Sequence, residues 1–112
     1  MDSIRSLHPM ARAWLLDGPL SPHVDAFVAL LERSRYAEGS LDKGLRALAH
    51  FAQWMTRCRL SAEQIDEAVV EQFLDSHLPR CDCQASALLT HGDLRANLAH
   101  LLTSLREQHV IL

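Results

Sequence analysis

The sequence predicts an all-α protein of four to five helices that fold as one domain. Apolar residues make up 48% of the 112 residues, whereas aromatic residues make up only 5%. The abundance of Leu and Ala favours packed helices over a sheet. Apolar residues also recur at three- and four-residue steps, the period of an amphipathic helix, and no segment alternates as a strand does. A chain of this length can bury a sizeable core.

The first 20 residues are predicted to form a loosely ordered arm. Pro9 can start a short helical turn through residues 14–16, and the Gly18-Pro19 pair ends that turn. We therefore place the domain itself at residues 21–112.

Two helices follow the arm. The first is predicted to begin with Ser21 as its N-cap and Pro22 at its first helical position, and to reach about Ser34. The second covers residues 41–57 and is predicted to be capped by Ser40. Hydroxyl side chains are preferred at N-caps because they accept hydrogen bonds from backbone N–H groups that have no partner within the helix.

The second half of the chain predicts one turn and two further helices. Residues 61–64 have a capping-box pattern that predicts a short turn, and a third helix is expected over residues 67–77. Residues 80–89 are predicted to be a loop after the Leu78-Pro79 pair. The last helix starts near residues 90–93 and runs to about Gln108.

The second helix has two chemically different sides. Its apolar side consists of Leu41, Leu45, Leu48, Ala52 and Met55. Its opposite side consists of Lys43, Arg46, His50 and Arg57. The nearest acid is Asp42, which lies in the first turn, where the helix dipole favours negative charge. A helix with a core-facing side and a purely basic side is suited to bind a polyanion such as DNA.

Gly44 interrupts this helix. A glycine inside a helix costs about 1 kcal/mol relative to alanine. We therefore expect either a closely packed helix or a closely bound ligand at this position.

The overall charge argues against DNA, but its distribution does not. The formal net charge is −3, whereas DNA-binding domains are usually basic. Residues 43–59 nevertheless contain four cations and no acid, and residues 61–76 contain five acids and no Lys or Arg. A local basic face can bind phosphates on a net-acidic domain. The acidic face of the third helix is predicted to be solvated.

The expected compartment is the cytoplasm. The three cysteines are an odd number and do not suggest a disulfide framework. No apolar run approaches the roughly 20 residues of a membrane span, and the N-terminus lacks the apolar block of a secretory signal. No motif indicates a cofactor.

One group of residues has the types that bind zinc. His77, Cys81, Cys83 and His91 supply the four nitrogen or sulfur ligands of a tetrahedral site. Their spacing is irregular, because Cys-x-Cys lacks the usual two-residue gap. We therefore predict a loop with two reduced thiols and no metal.

Several segments together resemble the N-terminal part of tyrosine recombinases, the phage integrase family. They are Ser21-Pro-His-Val-Asp-Ala-Phe, Tyr36-Ala-Glu-Gly-Ser40-Leu and Leu45-Arg-Ala-Leu-Ala-His-Phe-Ala-Gln-Trp54-Met. The later Ile65-Asp-Glu and Val70-Glu-x-Phe-Leu are similar to the third helix of that domain. Leu78-Pro-Arg-Cys-x-Cys83 is similar to one subgroup of mobile-element recombinases. The resemblance covers about residues 20–106.

The resemblance implies a SAM-like core-binding domain, an orthogonal helical bundle that clamps one side of double-stranded DNA. In this family a separate catalytic domain performs the chemistry, and the second and fourth helices of the bundle lie toward the DNA. The implied phosphate contacts here are Ser40, Lys43, Arg46, His50 and Arg95. The implied partners are DNA, a catalytic recombinase domain and other copies of the chain assembled on DNA.

The catalytic residues of the family have no counterpart in this sequence. Tyrosine recombinases use an Arg, a Lys, a His-x-x-Arg pair and a nucleophilic Tyr. The only tyrosine here is Tyr36, in a connector, and the step from His91 to Arg95 is four residues instead of three. We therefore expect the chain to perform no recombination by itself.

A helical protein-interaction module is the alternative. The acidic third helix would then be the docking face, and the net charge of −3 fits this function better than DNA binding. Trp14 and Trp54 are predicted to pack in a core or an interface. An enzyme ranks third, because no acid–base pair, activated nucleophile or phosphate loop is found.

Overall fold

The computed structural model describes residues 9–33, 38–77 and 91–111. These residues form five α-helices and contain no strand, which confirms the predicted all-α class. The helices are α1 (Pro9–Asp17), α2 (Val24–Arg33), α3 (Glu38–Cys58), α4 (Glu67–Gln72) and α5 (His91–Glu107). The 3₁₀ turns Ser21–His23 and Ala62–Gln64 precede α2 and α4, and a π-helical turn, Phe73–His77, follows α4. Within the described ranges, no helix has both the length and the apolar character of a membrane span.

Helix α3 is the centre of the bundle. Helices α1, α2 and α5 all pack against it, as does the π-helical turn. Every residue of the predicted apolar side is buried: Leu41, Leu45, Leu48, Ala52 and Met55. Burial extends well beyond that side, because Ala47, Ala49, Phe51 and Trp54 are covered as well. The helix therefore has a narrow exposed edge instead of a broad polar face.

Residues 9–20 belong to the bundle, so the prediction of a loose arm was wrong for this stretch. Helix α1 packs against α3, and its Ala11 and Leu15 are buried. Leu20, just beyond the helix, is fully buried too. These apolar side chains contribute to the same core as α3 and α5, and their burial holds α1 in place. The rest of the predicted arm, residues 1–8, lies outside the described residues.

The start of α2 differs from the prediction. Ser21 and Pro22 lie inside the 3₁₀ turn, Leu20 takes the cap position, and no side chain caps this turn. The turn is closed by the backbone N–H of His23, which donates to the Leu20 carbonyl at 2.8 Å. Helix α2 itself begins at Val24, so the Pro22 ring, which removes a donor, stands outside it.

Gly44 lies where three helices meet. A Cβ atom at this position would lie 2.8 Å from Cδ1 of Leu31 on α2 and 3.0 Å from Oδ1 of Asn97 on α5. Carbon atoms normally approach to about 3.5–4.0 Å. Close helix packing therefore explains this glycine.

The turn and the helix ends after α3 follow the local sequence. The predicted capping box is present, because the Ser61 N–H donates to Oε1 of Gln64 at 2.8 Å. Asp66 then caps α4 by accepting from the Val69 N–H at 2.9 Å. Helix α3 ends at Cys58, and the next residue, Arg59, has a φ of 57°. The Leu60 N–H closes this end by donating to the Met55 carbonyl at 2.9 Å.

Candidate nucleic-acid interface

The exposed edge of α3 carries positive charge at both ends. Lys43 and Arg57 are exposed and Arg46 is half-buried. These three side chains lie within about 60° of one another around the helix axis, given 100° per residue. We call Lys43 and Arg46 the amino-terminal cation pair, and Arg57 with the exposed Arg59 the carboxyl-terminal cation pair. From Lys43 through Ala62 the chain contains no acidic residue.

His50 falls between these two pairs, and the prediction that it contacts DNA was wrong. Its side chain is only 1% exposed. Phe73, the first residue of the π-helical turn, covers it, with ring centroids 5.1 Å apart in an edge-to-face arrangement. The basic side of α3 is therefore interrupted at its middle, although the helical register of His50 matches that of Lys43 and Arg57.

Phe73 also organises the aromatic part of the core. Its ring lies 5.1 Å from that of Phe51 and 5.4 Å from that of Trp54. Trp54 is 6% exposed, which confirms its predicted packing role. These ring contacts fix the position of the π-helical turn against α3.

Ser40 is the third residue of α3, so the prediction that it caps the helix was wrong. The helix begins two residues earlier, at Glu38. The side chain of Ser40 lies outside the described part of the structure, and its contact with DNA stays a prediction.

Arg95 lies on the exposed side of α5 and is bound to a carboxylate of α4. Its guanidinium forms two hydrogen bonds with Glu71, from Nη1 to Oε1 and from Nη2 to Oε2, the second at 3.1 Å. The carboxylate of Glu71 raises the pKa of Arg95 above its ordinary value, and the nearby Asp75 acts in the same direction. Arg95 is therefore charged and already engaged with an anionic group of its own chain.

A second arginine of α5 is bound in the same way. Nη2 of Arg106 lies 2.5 Å from Oε2 of Glu67. This hydrogen bond, together with one from its own backbone N–H, lowers the pKa of Glu67. The prediction that the acidic side of the third helix is merely solvated was therefore wrong, because Glu67 and Glu71 form ion pairs with α5.

The sequence contains a signal for these two pairs that our prediction did not use. Glu67 and Glu71 are four residues apart, which places them on one side of α4. Arg95 and Arg106 are 11 residues apart, or about three turns, which places them on one side of α5. Matched acidic and basic sides on neighbouring helices predict interhelical ion pairs.

A third pair joins α2 to α5. Arg33 at the end of α2 lies 2.7 Å from Glu107 at the end of α5. In contrast, no carboxylate in the described ranges lies within ion-pair distance of Lys43, Arg57 or Arg59. Lys43, Arg57 and Arg59 are therefore described cations, at the two ends of the α3 edge, that no carboxylate of the described part of the chain neutralises.

A groove opens between α1 and the last turns of α3. Its volume is about 350 Å³. Trp14 and Ala13 form its apolar wall, and Asp17 and Arg57 lie at its rim. Trp14 is half-buried, so it packs against α3 while part of its ring faces the groove.

The predicted thiol loop is not covered by the described residues. Cys81 and Cys83 fall in the undescribed range 78–90. The side chains of His77 and His91 also lie outside the described part of the structure. Among the side chains that are described, no group of three or more His, Cys, Asp or Glu could hold a metal ion. Cys58 is exposed at the end of α3.

The chain has no match among protein-family models, curated proteins or solved structures. The resemblance to tyrosine recombinases therefore depends on the sequence segments alone and stays a prediction.

Proposed function

We propose that this chain binds double-stranded DNA through the exposed edge of α3, as the core-binding domain of a tyrosine recombinase. The observation that carries this proposal is the pair of cationic ends on one helix edge, Lys43 with Arg46 and Arg57 with Arg59, in a stretch without any acid. Lys and Arg side chains of this kind bind phosphate oxygens and fix the orientation of a duplex.

The distance between the two cation pairs supports contacts with both strands. Arg46 and Arg57 are 11 residues apart, which corresponds to about 16 Å along the helix axis. The major groove of B-DNA is about 12 Å wide. Side chains extending from the two ends of α3 therefore have the reach to contact phosphates on opposite sides of one groove.

Because the middle of the exposed α3 edge is covered, we expect this edge to contact phosphates and not bases. Phe73 and the π-helical turn lie over His50, so the centre of α3 cannot be inserted into a groove. Base edges are read by side chains deep in a groove, whereas phosphates are reached from outside. We infer that the domain positions the duplex and leaves the sequence to be read elsewhere.

This role is a positioning role within a larger reaction. A separate catalytic domain would supply the nucleophile and the residues that stabilise the phosphate charge, and we assign no catalytic residue to this chain. The corresponding compartment is the cytoplasm. Assembly of several copies along one DNA site is part of the proposal.

The test is fluorescence anisotropy with a labelled duplex of about 30 bp at about 50 and 200 mM salt. Four phosphate contacts give a slope of about −3.6 for log K against log salt, which is a loss of about 150-fold across this range. The double variant Lys43→Glu/Arg46→Glu should lose binding at both salt concentrations. The matched control, Lys43→Arg/Arg46→Lys, keeps both charges and should retain binding.

Two results would contradict the proposal. One is an absence of binding at low salt by wild-type protein whose circular dichroism shows that it is folded. The other is binding that the charge-reversed variant retains, because the anion would then be held elsewhere on the chain.

A protein-interaction module is the second candidate, and one observation favours it. Arg33, Arg95 and Arg106 are all paired with glutamates of the chain, which reduces the positive charge that a protein of net charge −3 offers to DNA. The groove beside Trp14 offers an apolar surface to a partner. A protein complex should survive the Lys43→Glu/Arg46→Glu substitutions, which separates this function from DNA binding.

A further inference from the structure

Arg95 lies at the same end of the bundle as the amino-terminal cation pair. Asn97 is two residues along α5 from Arg95, and its Oδ1 lies 3.0 Å from where a Cβ atom of Gly44 would be. Lys43 and Arg46 flank Gly44 on α3. The contact between α3 and α5 therefore places Arg95 at the same level of the bundle as both cations, although Arg95 belongs to a different helix and faces α4.

The partner of Arg95 resembles a phosphate in its bonding. A guanidinium binds carboxylates and phosphates with the same two parallel N–H donors. Glu71 uses both of its oxygens in this way. The side chains of Arg95 and Glu71 are 49% and 44% exposed, so an external anion can approach the pair from solvent. A cleft of about 140 Å³ between α4 and α5 borders the same two side chains.

We propose that Arg95 is a further phosphate site of this interface and that the carboxylate of Glu71 occupies it in the absence of DNA. On binding, a phosphodiester oxygen pair replaces the carboxylate on the guanidinium, and Glu71 turns to solvent. This inference rests on the proposed function. It makes Glu71 an internal competitor that lowers the affinity for DNA, and it explains how an arginine that is ion-paired in the free protein can serve the interface.

The second ion pair between the same helices provides a matched control. Nη2 of Arg106 donates a hydrogen bond to Oε2 of Glu67, and the two side chains are 40% and 67% exposed. Arg106, however, lies nine residues beyond Asn97 on α5, or about 14 Å along the helix. It is remote from Lys43 and Arg46, so releasing it should not add a phosphate contact beside the amino-terminal cation pair.

The experiment compares Glu71→Gln with Glu67→Gln in the duplex anisotropy assay. Both variants remove one negative charge from α4 and weaken one ion pair to α5. Glu71→Gln should tighten binding by about two- to fivefold, the range expected for release of one exposed ion pair. Because Arg95 contacts a phosphate in both proteins, the number of phosphate contacts and the salt slope should stay the same. Glu67→Gln should leave both quantities close to those of the wild type.

The variant Arg95→Gln tests whether the gain depends on this arginine. In the Arg95→Gln background, the substitution Glu71→Gln should no longer tighten binding. A gain of the same size in that background would overturn the inference, because it would reflect the general loss of a negative charge.

Failure of the inference and failure of the proposed function give different results. If the wild type binds with salt dependence and Lys43→Glu/Arg46→Glu abolishes binding, but Glu71→Gln changes nothing, only the inference fails. If neither the wild type nor Glu71→Gln binds at low salt, both fail. If Glu71→Gln binds where the wild type does not, the inference is supported in its strongest form.

Discussion

Replacing Gly44 by alanine has two opposing effects on the stability of the protein, and their magnitudes can be compared. Alanine inside a helix is favoured over glycine by about 1 kcal/mol. The new Cβ atom, however, would lie 2.8 Å from Cδ1 of Leu31, which is about 1 Å closer than carbon atoms normally approach. Leu31 is 1% exposed, so neighbouring core atoms restrict its movement. Overpacking of this kind costs about 1–3 kcal/mol.

The net expectation for Gly44→Ala is a loss of about 1 kcal/mol of unfolding free energy, with a range of about 0–2 kcal/mol. For a domain of this size, a loss of 1 kcal/mol lowers Tm by about 4–5 °C. Urea unfolding followed by circular dichroism measures the free energy, and a thermal melt measures Tm. Gly92→Ala, at an exposed position in the first turn of α5, is the control at a helical glycine outside the core.

If Gly44→Ala stabilises the protein by the full helix-propensity gain, the three helices do not meet as closely as described. The contact with Leu31 can also be tested directly by adding Leu31→Val, which removes the crowding Cδ1 atom. In that background the cost of Gly44→Ala should shrink by about 1 kcal/mol, a typical coupling between residues in contact.

Two further predictions concern acid stability and the covered histidine. Arg106 holds the pKa of Glu67 below its ordinary value of 4.5, so the folded state binds fewer protons than the unfolded state does. The stabilisation of the folded state by the Arg106–Glu67 pair is therefore complete above pH 4.5 and is lost as the pH falls toward the lowered pKa of Glu67. The Tm of the wild type should fall more than that of Glu67→Gln between about pH 5 and pH 3. Equal decreases in Tm would exclude this pair as the cause. Removing the 1% exposed His50 in His50→Ala should lower the unfolding free energy by about 1–3 kcal/mol. Its folded form should keep the wild-type affinity for duplex DNA, and a loss of affinity at unchanged stability would restore His50 as a DNA contact.

The helices were predictable where one chain segment contains the whole signal. The apolar side of α3, the capping box at Ser61 and the extent of α5 all follow from residues a few positions apart. Helix α1 was predicted only as a short turn. Its burial depends on α3, which lies far away in the sequence, and local patterns do not contain that information.

The interface was predicted only in part, for the same physical reason. Helical register places Lys43, His50 and Arg57 on one side of α3, and register alone cannot reveal that Phe73 covers the middle of that side. Arg95 was identified as a cation, but its partner is on another helix. Exposure and pairing depend on tertiary contacts, so charge patterns identify candidates without showing which ones remain available.

The burial of α3 on nearly all sides restricts how this protein can diverge. Between residues 43 and 57, only Lys43, Arg46, Gln53, Thr56 and Arg57 reach solvent. Substitutions elsewhere on the helix disturb packing with α1, α2, α5 or the π-helical turn, and are therefore selected against. Homologous chains should thus retain small residues at positions such as 47, 49 and 52, even after their surface charges have changed completely. Within residues 43–57, adaptation to a new ligand is limited to those five positions.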